Sequence, residues 1–365
     1  MEKYPLLLRA TIRLAFAFLI VAALLLTRKL LVPLCLSVML AYLLYPYAQW
    51  LEKKKVPRIA TNLIVILSFF AILSGIVYTL IALFSGFVDN IAEIKEQVET
   101  NLDAFKQILA GFTGFSESSI NGWIDSASQT GEYVKQAFTA TTNTILSIAL
   151  LPVYTFLLLF YRDKFRSFIS MLIDNSEEGV AQKILDQAEE VVPKYLKGLV
   201  IVCFTLMGLN SLGFYLIGVE YPLLFGIIAA LFNLIPYLGT VLGYGAVLVF
   251  VLGIQGPTVA FAVIAQFFVV QFIENNILTP NITGSYVQIN PLVIIFSLIA
   301  AGMVWGLPGM LIIIPYLGLF KIVCENIESM EPIGYLLGTR GTERHSITIE
   351  SLQRRFGWLD EDEKN

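Results

Sequence analysis

The sequence predicts an all-α polytopic membrane protein, and three observations carry that prediction. Of 365 residues, 57% are hydrophobic and only 14% are charged, where an ordinary soluble domain has about a quarter charged. The mean hydropathy is +0.75. Apolar runs of about twenty residues recur along the chain, each long enough to cross a hydrocarbon core ~30 Å thick as a helix. The pattern predicts about six full transmembrane helices or more, two re-entrant helical hairpins and a small extracytoplasmic helical hairpin.

The elements follow in chain order. Residues 1–87 form an N-terminal membrane segment with runs at 11–27, 30–51 and 59–87. The first run has a basic flank but no small-residue cleavage site, and "VAALLLTRKL" leads straight into the second, so it reads as a retained anchor and not a removed signal. In 88–142, Ile91, Ile94, Val98, Leu102, Phe105 and Ile108 recur at helical spacing. The Gly/Ser-rich "GFTGFSESSING" and a second helix with Trp123, Ile124, Val134 and Phe138 complete a helical hairpin. It packs on a neighbour or on its own membrane domain, or it caps a ligand site. A fourth span occupies 143–161.

Segment 162–195 is an amphipathic elbow. Phe165, Phe168, Ile169, Leu172 and Ile173 form an apolar stripe beside Arg162, Lys164 and Arg166, a pattern suited to an interfacial helix on anionic headgroups. "DNSEEG" interrupts it, and a second helix runs towards Pro193. A solvated elbow and a regulatory site both fit. Residues 196–322 form a core, with spans at 196–218 and 257–278 and two broken runs, and 323–365 is a polar tail. Basic residues cluster at the N-terminus, at Lys53–Lys55 and Arg58, within 162–197 and from Lys321 onward. Positive loops stay cytoplasmic, so both termini and the tail are expected inside and 88–142 outside.

The broken runs are the informative part of the core. Segment 222–254 would reach ~50 Å as one helix, too far for one crossing, and "NLIPYLGT" stands near its middle. Segment 291–320 breaks likewise at "WGLPG". Either run is two half-helices folded into a re-entrant hairpin, or a kinked full-length span. Freed backbone groups at membrane depth are tolerated where protein or a watery cavity satisfies them, and paired Gly/Pro-interrupted segments point to a transporter's binding site. The candidate residues here are Asn233, Pro236 and Gly239 in the first run and Gly306, Pro308, Gly309 and Pro315 in the second.

Between the runs lies "QFFVVQFIENNILTPNITGSYVQINP". Gln271, Glu274 and Asn275 stand at i, i+3 and i+4 and turn one helical face polar; Thr279 continues the polar stretch. Glu274 is the one acidic residue of an otherwise apolar span. An intramembrane carboxylate suggests a pathway or proton-coupling role. At ~25 Å from Pro257 along a helix, it could equally reach the interface.

A channel or a non-transporting scaffold remains a third class, whereas enzyme classes find no support. Cys35, Cys203 and Cys324 are scattered and His345 is the sole histidine, so no disulfide framework, zinc spacing or His-paired nucleophile exists. There is no Walker A sequence. No enzyme, cofactor, metal or nucleic acid is expected. The partners expected are a small polar solute or a monovalent cation, and the lipid bilayer.

"VPLCLSVMLAYLLYPYAQWLEKKKVPR", "LFNLIPYLGT", "ENNILTPNITGSYVQINP" and "GLPGMLIIIP" together resemble the autoinducer-2 exporter family of bacterial membrane proteins, over most of residues 5–325. The resemblance implies a secondary transporter in the cytoplasmic (inner) membrane that exports a small polar signal such as autoinducer-2. The alternative it implies is a sodium(lithium)/proton antiporter with a P-G-x-x-x-x-x-P motif, which Pro308, Gly309 and Pro315 match. It further implies a homopentamer, two helical hairpins per protomer and an elevator-like movement. The chain departs from the family pattern after Met330.

Overall fold

The structure is a computed structural model that describes residues 6–88, 145–173, 179–235, 238–283 and 288–339. Nearly all of the expected extracytoplasmic hairpin, the "DNSEEG" interruption, Pro236 and the chain after residue 339 lie outside the described residues. Every regular element among those described is helical. In order they are α1 (Leu6–Leu26), α2 (Arg28–Lys53), α3 (Arg58–Val88), α4 (Ile145–Phe160), α5 (Arg162–Ile173) and α6 (Val180–Ile217). Then come α7 (Pro222–Phe232), α8 (Leu238–Ile254), α9 (Pro257–Ile273) with a π-helical continuation Glu274–Thr283, α10 (Pro291–Trp305), α11 (Leu307–Asn326) and α12 (Glu331–Leu337). Five are long and apolar enough to cross a membrane: α2, the stretch Arg58–Ala82 of α3, α6, Pro257–Ile282 and α11.

Two expected boundaries change. The runs 11–27 and 30–51 are joined almost without a loop, as α1 and α2. Only Thr27 separates α1 from α2; its backbone is nearly helical (φ −92°, ψ 6°) and its hydroxyl donates to the Ala23 carbonyl. The elbow and the span after it are likewise one element, because α6 runs unbroken for 38 residues through Pro193, about 57 Å at 1.5 Å per residue. One interior proline costs a helix a hydrogen bond, but a continuous buried stripe from Ala181 to Phe214 holds both halves in register.

Helices α2, α3 and α4 pack around Leu44, Ala48, Val65, Ile66 and Leu159. One end of this bundle is tied by charge. Arg162 pairs with Glu52, while Arg58 reaches Asp163 at 2.7 Å and the Phe160 carbonyl at 3.2 Å. Helix α5 is fastened to α6 by Arg166, which binds Glu189 at 2.6 Å and Asp186 at 2.7 Å. That leaves Phe165, Phe168, Met171 and Leu172 exposed on its other face, as an interfacial helix requires.

Both broken runs fold back on themselves. In the first, Gly243 of α8 lies against Ala229 of α7, fourteen residues away, which one continuous helix would hold ~21 Å apart. The two ends of this hairpin meet. Gln255 donates to the Gly218 carbonyl at 2.7 Å and accepts from the Glu220 amide at 3.1 Å. In the second, Gly302 abuts Met310 and Gly309 abuts the Ala301 carbonyl. The turn is Gly306, with φ 65° and ψ −146°, backbone open essentially to glycine alone. The Asn290 amide at its entry donates to Leu337 of α12 at 2.8 Å, and α12 packs on the end of α11 through Gly334, beside Cys324 and Glu325. The start of the polar tail is therefore part of the fold.

Candidate functional site

The first hairpin places a polar side chain where two apolar elements would otherwise meet. Helix α7 ends at Phe232 after eleven residues, ~16 Å of rise and about half a hydrocarbon core. Asn233 follows at its C-cap, and a tight turn brings the Leu234 and Ile235 amides onto the Leu231 and Phe232 carbonyls. Gly239 backs directly onto the Phe232 carbonyl, where no Cβ would fit. This close approach is why the tip contains glycine.

The tip meets α9 where its winding changes. Asn233 donates to Glu274 Oε1 at 2.5 Å, and Gln271 donates to Oε2 at 2.8 Å. Each carboxylate oxygen thus holds one amide donor, and no Lys or Arg pairs with Glu274 among the described residues. The π-helical stretch begins at Glu274. Asn276 and Asn281 donate side-chain bonds to carbonyls four residues back, at Phe272 and Ile277. Pro280, which has no N–H, lies inside the stretch. Short π segments occur mostly as bulges in α-helices and frequently at functional sites.

Around this contact is a narrow crevice lined by Leu206 and Asn210 of α6, Ala229 and Asn233 of the first hairpin, Thr240 and Tyr244 of α8, and Val270, Gln271 and Glu274. It has no room for a water-sized body. The Tyr244 hydroxyl donates to Asn210 Oδ1, and Gln266 Nε2 donates to the Asn210 carbonyl at 3.2 Å. Asn210, Tyr244 and Gln266 are almost wholly buried.

Among the expected site residues, the structure brings Asn233, Gln271 and Glu274 together, with Gly239 behind the tip. Asn275 is exposed where Gln271 and Glu274 are half-buried, and Thr279 is exposed further along. Gly306, Pro308, Gly309 and Pro315 lie elsewhere. The second hairpin packs on α2, α6 and the α1–α2 joint, where Trp305 donates to the Leu24 carbonyl and Tyr316 to the Cys35 carbonyl. None of its residues lines the crevice. Pro308 opens α11 and does not end α10, and Pro315 is buried inside α11. Asn210, Tyr244 and Gln266 are the residues that reading the sequence passed over, and Thr240 stands in the "NLIPYLGT" break without being among the candidates. Asn210 and Gln266 carried the same signal as Glu274, a polar side chain inside an apolar run.

A multi-pass helical chain with broken helices around a buried polar crevice is a membrane transporter by class. The chain belongs to the AI-2E transporter family, whose sequence pattern matches residues 14–329. It is similar to YrrI of Bacillus subtilis, named as a candidate transport protein, with 28% identity over 307 residues covering 80% of this chain and 85% of that one. It is also similar to the AI-2 transport protein TqsA of Escherichia coli, at 24% over 341 residues, 92% of this chain and 97% of TqsA. The relatives are named as transport proteins, not enzymes.

Proposed function

We propose that the chain is a secondary transporter, in the cytoplasmic membrane of a bacterium, that exports a small polar organic solute of the autoinducer-2 type. In this reading the site is the crevice at the first hairpin tip. The observation that carries it is the Glu274 carboxylate, held by Asn233 and Gln271 within the Pro257–Ile282 span. Two amide donors and no cation leave it a net negative charge to neutralise at low dielectric. Binding a proton, or exchanging an amide for a solute hydroxyl, releases the tip and opens the crevice.

Both termini then face the cytoplasm and both hairpins are re-entrant. The half-helix end at the first tip offers the Asn233 side chain to the solute. The protomers assemble as a homo-oligomer, a pentamer by family resemblance. The same carboxylate favours a second reading, sodium(lithium)/proton antiport, in which cation and proton share Glu274 in turn.

Purified protein in liposomes separates the two. Efflux of autoinducer-2, lost in Glu274→Gln, is expected for the first reading. Sodium or lithium movement that collapses a proton gradient, with no autoinducer-2 flux, would replace it with the second. No flux of either kind would remove both.

A further inference from the structure

Beyond the crevice, several buried polar side chains are incompletely satisfied among the described residues, Asn62, Thr155 and Ser211 among them, and Gln266 is the one joined to the crevice by a hydrogen bond. Gln266 lies on α9 eight residues before Glu274, ~12 Å along the helix, and is 9% exposed. Its Nε2 donates to the Asn210 carbonyl at 3.2 Å, but its Oε1 is buried without a hydrogen-bond partner among the described residues. The amide cannot be turned round to cure this, since the Asn210 carbonyl accepts and never donates. Buried polar atoms are nearly always paired, and an exception calls for an explanation.

The surroundings keep the amide in place. Gly213 of α6 packs directly on it, so closely that a Cβ there would strike Nε2 and the amide carbon. A link leads back to the crevice. Asn210 lines the crevice, receives the Tyr244 hydroxyl on its side chain and holds Gln266 through its backbone. One turn past Gln266, at Val263, the helix enters an apolar cluster that begins at Tyr244 and Ala229 of the crevice. Phe214, Val247, Val251, Ala260 and Val263 are all fully buried.

We propose that Gln266 is a second, inner hydrogen-bonding station on the transport path, and that Phe214, Val247, Val251, Ala260 and Val263 are the seal beyond it. The free Oε1 takes a hydroxyl hydrogen, from an alcohol group of the solute or from water. An acceptor with no ionisable group selects for a neutral hydroxylated species at this depth, where Glu274 serves the outer part of the same path. The proposal rests on the crevice being the transport site.

Cysteine labelling in liposomes tests it on a background lacking Cys35, Cys203 and Cys324. A small hydrophilic thiol reagent is applied from one side at a time. T240C, N210C and Q266C are expected to react from the same side, and V263C at least tenfold more slowly. Should Q266C fail to assemble, N210C reports the same level. Q266C (or, in its place, N210C) as slow as V263C, or V263C as fast as T240C, overturns the proposal.

Autoinducer-2 transport by Q266M and Q266E then distinguishes the two donors. A tenfold rise in KM for Q266M, with Vmax kept and Q266E not restoring the wild-type KM, assigns the oxygen to a solute hydroxyl. Labelling of Q266C with unchanged KM in Q266M assigns it to water. Failure of the crevice reading looks different: E274Q would transport as the wild type does, while the labelling order stays as expected.

Discussion

Glu274 shows how one residue can link stability to turnover. A carboxylate that loses a hydrogen-bond donor at a buried site loses about 1–3 kcal/mol, so Asn233→Ala should loosen the tip and lower thermal stability in detergent by several degrees. Glu274→Gln keeps the shape but removes the titratable charge. Its transport should fall at least tenfold and lose its pH dependence, with expression and assembly unchanged. Equal transport at every pH would return Glu274 to a structural role.

The glycines at the second tip act for two separate reasons. Gly306 supplies backbone angles closed to other residues, so Gly306→Ala should cost ~1–3 kcal/mol. Gly309 supplies room against the Ala301 carbonyl, and Gly309→Ala should cost a similar ~1–3 kcal/mol by overpacking. Pro308 stands in the first turn of α11, where its missing N–H is not needed, so Pro308→Ala should cost under ~1 kcal/mol. Thermal melts of the three variants rank them, and a Pro308 variant as unstable as the Gly306 one contradicts the assignment of the turn.

At the scale of elements, hairpin geometry has a topological consequence. Because the Gly218–Glu220 turn and Gln255 are hydrogen bonded together, α7 and α8 begin and end at one level. Residues 255–257 are then expected outside and 279–290 inside. Single cysteines at Gln255 and Ser285, labelled with an impermeant reagent on intact cells, check this. Outside labelling at Ser285 but not at Gln255 would exclude a re-entrant first hairpin. Helix α5 is the other element whose role follows from its contacts. With Arg166 tied to Glu189 and Asp186, the helix is a strut between α4 and α6 that lays its phenylalanines outward. Arg166→Ala should speed trypsin cleavage at Lys164 severalfold; an unchanged rate would mean that apolar contact alone holds α5 on α6.

For the whole molecule, the exposed apolar side chains of α1, including Leu14, Phe16, Phe18 and Leu26, need lipid or another copy to cover them. Mass measurement of the detergent-solubilised protein should give five protomers; a single-protomer mass would withdraw the assembly inferred from resemblance. The sequence by itself determined the class, most helical elements, the places where the two runs break and three members of the crevice; that each run reverses was decided by the fold. Each of the former follows from local chemistry: apolar length sets a span, Gly and Pro free backbone groups, and a polar atom in an apolar run must find a partner. Tertiary structure alone decided which partner. Asn233 and Glu274 are 41 positions apart, and nothing in either neighbourhood states that Glu274 will meet the first tip while Asn275 stays exposed. The second hairpin matched the first in composition yet packs against the α1–α2 joint, because the side of α6 that each run covers depends on the packing of the whole buried stripe.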